Sequence, residues 1–141
     1  MCLTKIFKVL AYSAEVKTGY KAVYPGSVKP DSIQCLYRVE ILKSAVDGRI
    51  VYDFLCLPRG EWLEAREREV YSAIHNTAYT SGFHLYPTLE EACNGMSSTP
   101  AAAAEFILEV KYRGRITLGE ECGIPVVVAS ELYIPKEGEQ C

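Results

Sequence analysis

The clearest pattern in the chain is the alternation of apolar and polar residues in its last third. In EFILEVKYRGRITLG, one set of alternate positions is apolar and begins at Phe106, whereas the other set carries Lys111 and Arg113. Alternation with a period of two residues predicts a β-strand with one buried face. The run IPVVVASELYI is apolar almost throughout, which predicts a strand at a central position in the sheet.

Earlier segments also favour strands. TGYKAVYPG is a β-prone run that ends in a Pro-Gly turn, and QCLYRVEIL and GRIVYDFLCL follow it. Asp47-Gly48 lies between the last two runs, and this dipeptide is a strong signal of a tight β-hairpin. We therefore predict a meander of strands in the first half of the chain.

The segment PRGEWLEAREREVYSAI changes to a helical period. Its apolar residues fall on one stripe of a helix: Trp62, Ala65, Val70, Ala73 and Ile74. Its glutamates then form a solvated helix face: Glu61, Glu64, Glu67 and Glu69. The pattern predicts a helix here, with the alternative that GEWLEA runs as an extended edge before the helix begins.

The segment TSGFHLYPTLEEA combines a glycine, an aromatic residue and a histidine with the start of a helix. If Gly82–Tyr86 is a strand, alternation directs Phe83 to one face and His84 to the other. Thr88 followed by Glu91 forms a capping box. We expect a short helix from Leu89 to about Cys93.

These elements predict an α+β fold, with a mostly antiparallel sheet covered on one side by one or two helices. The length of 141 residues fits a single domain over 1–141, with a frayed tail at about 136–141. The apolar part of the N-terminus is broken by Lys8 and is too short for a signal peptide, and no run reaches the roughly 18 residues of a membrane span. We therefore expect a cytoplasmic protein that does not associate with a membrane.

The charge and cysteine content restrict the classes of ligand. A net charge of −3 gives no long-range attraction to a DNA or RNA polymer, although a local basic pocket is compatible with it. The six cysteines are widely and irregularly spaced, which favours free, mostly buried thiols over a disulfide framework. No pair of residues has metal-ligand spacing, so we expect neither a metal nor a cofactor.

Candidate catalytic residues are few. His84 beside a glycine turn is the best general base, and any cysteine is a possible nucleophile. No HExxH, GxSxG or phosphate-binding loop accompanies them. The alternative reading is that His84 is a strand histidine that bonds to the backbone.

Residues suited to ligand binding are more abundant. The chain has ten tyrosines, whose rings combine an apolar face with a polar tip. Arginine and lysine can neutralise phosphates while aromatic rings stack on bases. The predicted ligand-binding set is Arg59, Trp62, Tyr79, Phe83, His84, Tyr86, Lys111, Arg113 and Arg115. The alternative for the last three is an exposed basic strand face that balances Glu105 and Glu109.

Several segments together resemble small proteins of bacteriophages and their hosts: GYKAVY, GEWLEA, TSGFHLYPTLEEA and LEVKYRGRITLGEECGIPVVVASELYI. In size and in the SGFH segment followed by two strands, the chain is loosely similar to phage anti-Thoeris proteins. These are sponge proteins, which bind and hide immune signalling nucleotides.

The resemblance implies a non-catalytic counter-defence protein that sequesters a small cyclic or ADP-ribose-derived nucleotide in the cytoplasm of an infected bacterium, as a homo-oligomer. Two alternatives stay open. One is a protein–protein inhibitor of a host factor. The other is an enzyme, either a transferase with an ADP-ribosyltransferase-like fold or a small nucleotide-processing or thiol enzyme that uses His84.

Overall fold

The computed structural model of the protein describes residues 3–25, 32–35, 44–52, 56–97 and 106–136. Strands dominate this part of the chain. They are β1 (Lys5–Pro25), β2 (Ser32–Cys35), β3 (Ser44–Val46), β4 (Arg49–Tyr52), β5 (Cys56–Pro58), β6 (Trp62–Ala65), β7 (Glu69–Ser72), β8 (Thr77–Thr80), β9 (Phe83–Leu85), β10 (Phe106–Glu121) and β11 (Ile124–Tyr133). One helix, α1 (Leu89–Ser97), completes the elements of the described residues.

The predicted α+β class is wrong, because the fold is mostly β and no layer of helices covers the sheet in the described ranges. In place of the predicted helix in PRGEWLEAREREVYSAI, the structure has the end of β5 at Pro58, followed by β6 and β7. Leu63, which lies off the predicted stripe, is fully buried, whereas Ile74 on the stripe is 91% exposed. The alternative that GEWLEA is extended is correct over Trp62–Ala65.

The helix predicted from the apolar period does not form, because this segment pairs with distant parts of the chain. Leu63 of β6 pairs with Leu132 of β11, so this strand is part of the main sheet. Beyond β6, the side chain of Ser81 accepts from the backbone N–H of Arg68 at 3.0 Å and donates to the carbonyl of Arg66 at 2.7 Å. These bonds use backbone groups that a helix would pair internally.

The two longest strands form the centre of the sheet. The strand order is β3-β4-β6-β11-β10-β1-β2-β5, and β9 also pairs with β11. Neighbouring strands of this sheet are antiparallel except for β4 and β6. Since β11 has partners on both edges, the prediction of a central IPVVVASELYI strand is confirmed.

A backbone pair between Tyr20 and Tyr86 curls the sheet back on itself. Tyr20 N–H donates to the Tyr86 carbonyl at 2.9 Å, and Tyr86 N–H donates to the Tyr20 carbonyl at 2.7 Å. Tyr86 directly follows β9, which pairs with β11, and Tyr20 lies on β1, which pairs with β10. The strands β1, β10, β11 and β9 therefore follow one another around a closed ring.

Two apolar clusters lie on opposite faces of β11, because alternate residues of a strand point to opposite sides. The larger cluster includes Val127 and Ala129 together with Phe83, which is fully buried. The smaller one includes Val126 and Val128 together with Leu3. Burial of one large apolar side chain stabilises the fold by about 1.5–3 kcal/mol, so both faces of β11 contribute to stability.

Two local predictions are confirmed. Asp47 and Gly48 both have positive φ, 50° and 76°, and they form the turn between β3 and β4. Thr88 caps α1, because its hydroxyl accepts from Glu91 N–H at 3.2 Å and donates to the Glu91 carboxylate at 3.0 Å. The helix extends beyond the expected end at Cys93, to Ser97.

Three other predictions lie largely or wholly outside the described residues. They concern most of the QCLYRVEIL strand, the spacer SSTPAAAA and the C-terminal tail. Within the described ranges, the only helix has nine residues, which is too short to cross a membrane.

Candidate functional site

A cleft of about 830 Å³ opens on the face of β10 and β11 that carries Arg113 and Glu131. Five strands and the segment after β6 contribute its walls. The lining residues are Tyr12, Arg49, Val51, Glu64, Ala65, Arg66, Glu67, Arg113, Arg115, Ser130 and Glu131. Four arginines thus converge on one concave surface, although they lie far apart in the sequence.

An irregularity at Gly114 shapes the floor of the cleft. Arg113 pairs with Glu131 and Ile116 pairs with Ala129, so Gly114 and Arg115 together oppose the single residue Ser130. Gly114 has φ of 97°, and a Cβ at this position would collide with the Ser130 hydroxyl. This arrangement is a β-bulge, and it needs glycine because other residues rarely adopt such a φ.

Three of the arginines form ion pairs with glutamates. Arg113 Nε lies 2.9 Å from Glu131 Oε1 and Arg115 Nη1 lies 3.1 Å from Glu67 Oε2. The third pair joins Arg49 Nη1 to Glu64 Oε2 at 3.2 Å. The Arg113–Glu131 pair is the most shielded, with side chains 28% and 13% exposed.

Arg113 is also held by an aromatic ring. Its guanidinium carbon lies 3.9 Å from the centroid of the Trp62 ring, which is cation–π geometry. Trp62 in turn contacts Tyr133, with ring centroids 5.6 Å apart. Stacking on one side and a carboxylate on the other fix the orientation of this guanidinium.

Tyr12 reaches the same carboxylate from β1. A hydrogen bond from its hydroxyl to Glu131 raises the pKa of Tyr12 above the usual value of 10.0, and the negative charge of Glu131 acts in the same direction. The residue Tyr12 is 63% exposed. It therefore presents an aromatic surface beside the arginines.

Two of the four predicted cationic residues line the cleft, and the other two do not. Arg113 and Arg115 line it, whereas Lys111 and Arg59 are not among its walls. Arg59 instead donates from Nε to the Pro135 carbonyl at 2.6 Å. Trp62 does not line the cleft, but its ring supports the Arg113 guanidinium from behind the cleft wall. The cationic row predicted on β10 is therefore divided between two environments.

The predicted residues around His84 lie away from the cleft. Phe83 is fully buried, and Tyr79 and Tyr86 are 5% and 8% exposed. The Tyr79 hydroxyl lies 3.3 Å from His84 Nε2 and accepts from Leu3 N–H at 3.4 Å. Lys21 Nζ donates to the His84 carbonyl at 2.6 Å. These contacts make His84 part of a packed polar network.

Sequence reasoning missed much of the cleft. Tyr12, Arg49, Arg66, Ser130 and Glu131 were not predicted as site residues, although all line it. The prediction that Glu64 and Glu67 lie on a solvated helix face is wrong, because both line the cleft and pair with arginines. One sequence feature could have indicated these residues. Basic and acidic residues alternate in EAREREV, a pattern that also suits a strand edge beside a charged site.

Within the part of the chain that the structure describes, no group of three or more His, Cys, Asp or Glu residues is placed to hold a metal ion. Cys93 and Cys122 are free thiols and both are exposed, so the prediction of buried thiols is wrong for these two. The polar and aromatic groups that line the cleft are guanidiniums, carboxylates, hydroxyls and the ring of Tyr12.

No model of a protein family, no curated protein and no solved structure matches this chain. The resemblance to phage sponge proteins consequently stays a prediction.

Proposed function

We propose that the protein is a non-catalytic binder of a small phosphorylated nucleotide, which it holds in the arginine-lined cleft. The observation that carries this proposal is the convergence of four arginines on one cleft of about 830 Å³. A guanidinium matches the geometry of a phosphate through two parallel N–H donors, and it stays charged at any physiological pH. A volume of this size falls within the usual range for small-ligand sites.

The existing ion pairs are compatible with ligand binding. The side chains of the Arg49–Glu64 and Arg115–Glu67 pairs are 38–59% exposed, and pairs of this kind contribute only about 0–1 kcal/mol each. A phosphate that accepts two hydrogen bonds from one guanidinium can displace or share such a glutamate. The glutamates meanwhile hold the arginines in place before the ligand arrives, which lowers the entropy cost of binding.

The charge balance favours a small ligand over a polymer. Four arginines against three glutamates leave one net positive charge in the cleft, and the whole chain carries −3. Nucleic-acid polymers are bound mainly by extended basic surfaces that neutralise many phosphates. A ligand with one or a few phosphates instead needs only local neutralisation.

Aromatic groups beside the arginines can hold a base. The Tyr12 ring is exposed at the cleft, and Trp62 supports Arg113 from below. Stacking of a base on an aromatic ring contributes about 1–3 kcal/mol and tolerates different bases. Tyr12 and the outer face of the Arg113 guanidinium are therefore the expected contacts of the base.

The position of His84 favours binding over catalysis. His84 is the residue on which the enzymatic alternative depends, and it is not a wall of the cleft. The three glutamates that line the cleft each contact an arginine, which occupies the groups that would otherwise serve as acid or base. The non-catalytic proposal is for this reason preferred.

The biological setting of the proposal rests on the sequence resemblance. Phage sponge proteins hide immune signals, so the expected ligand is a cyclic or ADP-ribose-derived nucleotide, sequestered in the cytoplasm of an infected bacterium. Binding without turnover suits such a role, because a sequestered signal is removed from its receptor without being altered.

The test mixes the pure protein with a panel of cyclic dinucleotides, cyclic trinucleotides and cyclic ADP-ribose isomers. Calorimetry measures affinity, and mass spectrometry identifies what heating releases. We expect one class to bind and to be recovered intact. Recovery of a changed product would establish the enzymatic alternative, and the absence of binding by any member would refute the proposal.

Arg115→Gln and Arg68→Gln form a matched pair of variants for this site. Arg115 lines the cleft, whereas Arg68 is an exposed arginine outside it, and both changes remove one charge. Hydrogen bonds to charged groups contribute about 1.5–3 kcal/mol, so Arg115→Gln should weaken binding by about tenfold or more. Equal losses in the two variants would show that the ligand binds elsewhere.

A further inference from the structure

Among the described residues, one edge of β1 has no strand partner along most of its length. The other edge pairs with β10 from Lys5 to Val23. On the open edge, the described strands make contact at Tyr20 through Tyr86 and at Val23–Pro25 through β2. Between Lys5 and Gly19, no strand of the described residues pairs with this edge. Unpaired backbone groups along a strand edge are a template for pairing with another chain.

The same segment carries a run of exposed apolar side chains, here called the β1 stripe. Its members are 48–63% exposed and are Phe7, Val9, Tyr12 and Val16. They make up half of the large exposed hydrophobic residues in the described part of the chain, the other four being Ile50, Tyr71, Ile74 and Leu89. A concentration of exposed apolar groups on one strand indicates a surface that another molecule covers.

Charges at the two ends of the stripe indicate which molecule this is. Lys5 and Lys8 are exposed at its start, and Glu15 is exposed near its end. If two copies meet antiparallel about a two-fold axis between Ala11 and Tyr12, Lys8 faces Glu15 of the partner subunit. The same arrangement sets Phe7 against Val16 of the partner subunit. A two-fold interface requires such self-complementarity, since one patch must fit itself.

Irregularities in β1 influence how the two copies meet. The register with β10 shifts between Ile6 and Lys8, between Leu10 and Ser13, and between Ser13 and Lys17. Bulges of this kind twist an edge and interrupt a regular ladder. The side chains of the stripe, rather than a continuous set of main-chain hydrogen bonds, therefore supply most of the contact.

We propose that the protein forms a homodimer in which the β1 stripes of two copies pack antiparallel across a two-fold axis. Lys8 of each copy pairs with Glu15 of the partner subunit. Tyr12 belongs both to the stripe and to the wall of the arginine-lined cleft, so each cleft lies beside the interface. The dimer does not depend on the proposed ligand.

Light scattering coupled to size exclusion tests the dimer over a range of concentrations. Lys8→Glu and Glu15→Lys each turn two attractive contacts of the interface into two repulsive ones. Each should therefore raise the dissociation constant of the dimer by about tenfold or more. Lys136→Glu, at an exposed lysine outside the stripe, is the matched charge control and should leave it unchanged.

Mixing the two variants gives the decisive measurement. In a heterodimer of Lys8→Glu with Glu15→Lys, both facing pairs regain opposite charges, so equimolar mixing should restore the dimer. A contact between Lys8 and Glu15 within one chain would not be restored by mixing. The double variant Lys8→Glu/Glu15→Lys should also dimerise as the wild type does.

An apolar variant tests the side-chain packing of the stripe. Phe7→Ser should weaken the dimer, whereas Ile74→Ser, at a residue 91% exposed outside the stripe, should not. Three outcomes would overturn the proposal. They are a wild-type protein that is monomeric at every concentration, a dimer insensitive to the charge reversals and to Phe7→Ser, and a failure of mixing to restore the dimer.

Discussion

The guanidinium of Arg113 is stacked on the ring of Trp62, with the guanidinium carbon 3.9 Å from the ring centroid. The same guanidinium donates from Nε to Glu131 at 2.9 Å. One side chain is thus fixed by a ring below it and by a carboxylate beside it. Trp62 lies on β6 and Arg113 lies on β10, the two strands that flank β11.

Trp62→Leu should weaken ligand binding and lower stability, whereas Trp62→Phe should largely preserve both. Leucine has no π face for the guanidinium, and a cation–π contact of this kind contributes about 0.5–2 kcal/mol. Chemical unfolding measures the stability and calorimetry measures the affinity. Equal effects of leucine and phenylalanine would show that the size of the side chain, not the stacking, holds Arg113.

Gly114→Ala should destabilise the protein more than Gly123→Ala. Both glycines have positive φ, 97° and 86°, so each change introduces backbone strain of about 1–3 kcal/mol. Only at position 114 does the new Cβ meet another atom, the Ser130 hydroxyl, because nothing lies within 4 Å of a Cβ at position 123. Denaturant unfolding of both variants measures the difference.

A second change tests the cause of that difference. In the double variant Gly114→Ala/Ser130→Ala, the atom that collides with the new Cβ is absent. The loss of stability should therefore be smaller than the sum of the two single losses. Simple additivity would show that backbone strain, not the collision, dominates at Gly114.

Thr88→Ala should lower the free energy of unfolding by about 1 kcal/mol. The hydroxyl of Thr88 satisfies the backbone N–H of Glu91 in the first turn of α1, and alanine has no acceptor for it. Thr88→Ser keeps the hydroxyl and should retain most of the stability. If Thr88→Ser lowers the free energy of unfolding as much as Thr88→Ala does, the methyl group of Thr88, not its capping hydroxyl, supplies the stability.

Glu121→Gln should raise the melting temperature at neutral pH. Burial raises the pKa of the Glu121 carboxyl above its ordinary value of 4.5, although His75 acts in the opposite direction. Its Oε2 atom is buried and makes no hydrogen bond with the described residues. The native state consequently binds the proton of Glu121 more tightly than the unfolded state does.

The pH dependence of this effect follows from the raised pKa. As pH rises from 4.5 through the folded-state pKa, the wild type loses stability, because a buried carboxyl must take up charge. The gain in melting temperature from Glu121→Gln should be present above this pH range and should vanish below pH 4.5. Thermal melts across pH measure this gain, and Glu120→Gln, which removes the same charge at the neighbouring residue, is the control.

The parts of the fold that could be predicted from sequence are those decided by local interactions. The Asp47-Gly48 turn, the Thr88 cap and the alternating strand from Phe106 each depend on residues close together in the chain. Turn conformation, helix capping and binary patterning operate over a few residues, so a sequence displays them directly.

The cleft could be predicted only in part. Arg113 and Arg115 were recognisable because they alternate on one strand. Their partners could not be found in the same way, because Glu131 and Glu67 are brought to them by strand pairing across long stretches of chain. His84, the most distinctive residue of its segment, is instead placed against Tyr79.

The sequence by itself therefore determined the local elements, the apolar faces of the final strands and the supply of arginines and rings. Only the tertiary structure decided that WLEA is a strand, since pairing of Leu63 with Leu132 overrides the helical period of its segment. It likewise decided that the arginines meet on one concave surface. The physical reason is that non-local pairing fixes both outcomes, and its partners lie tens of residues apart in the chain.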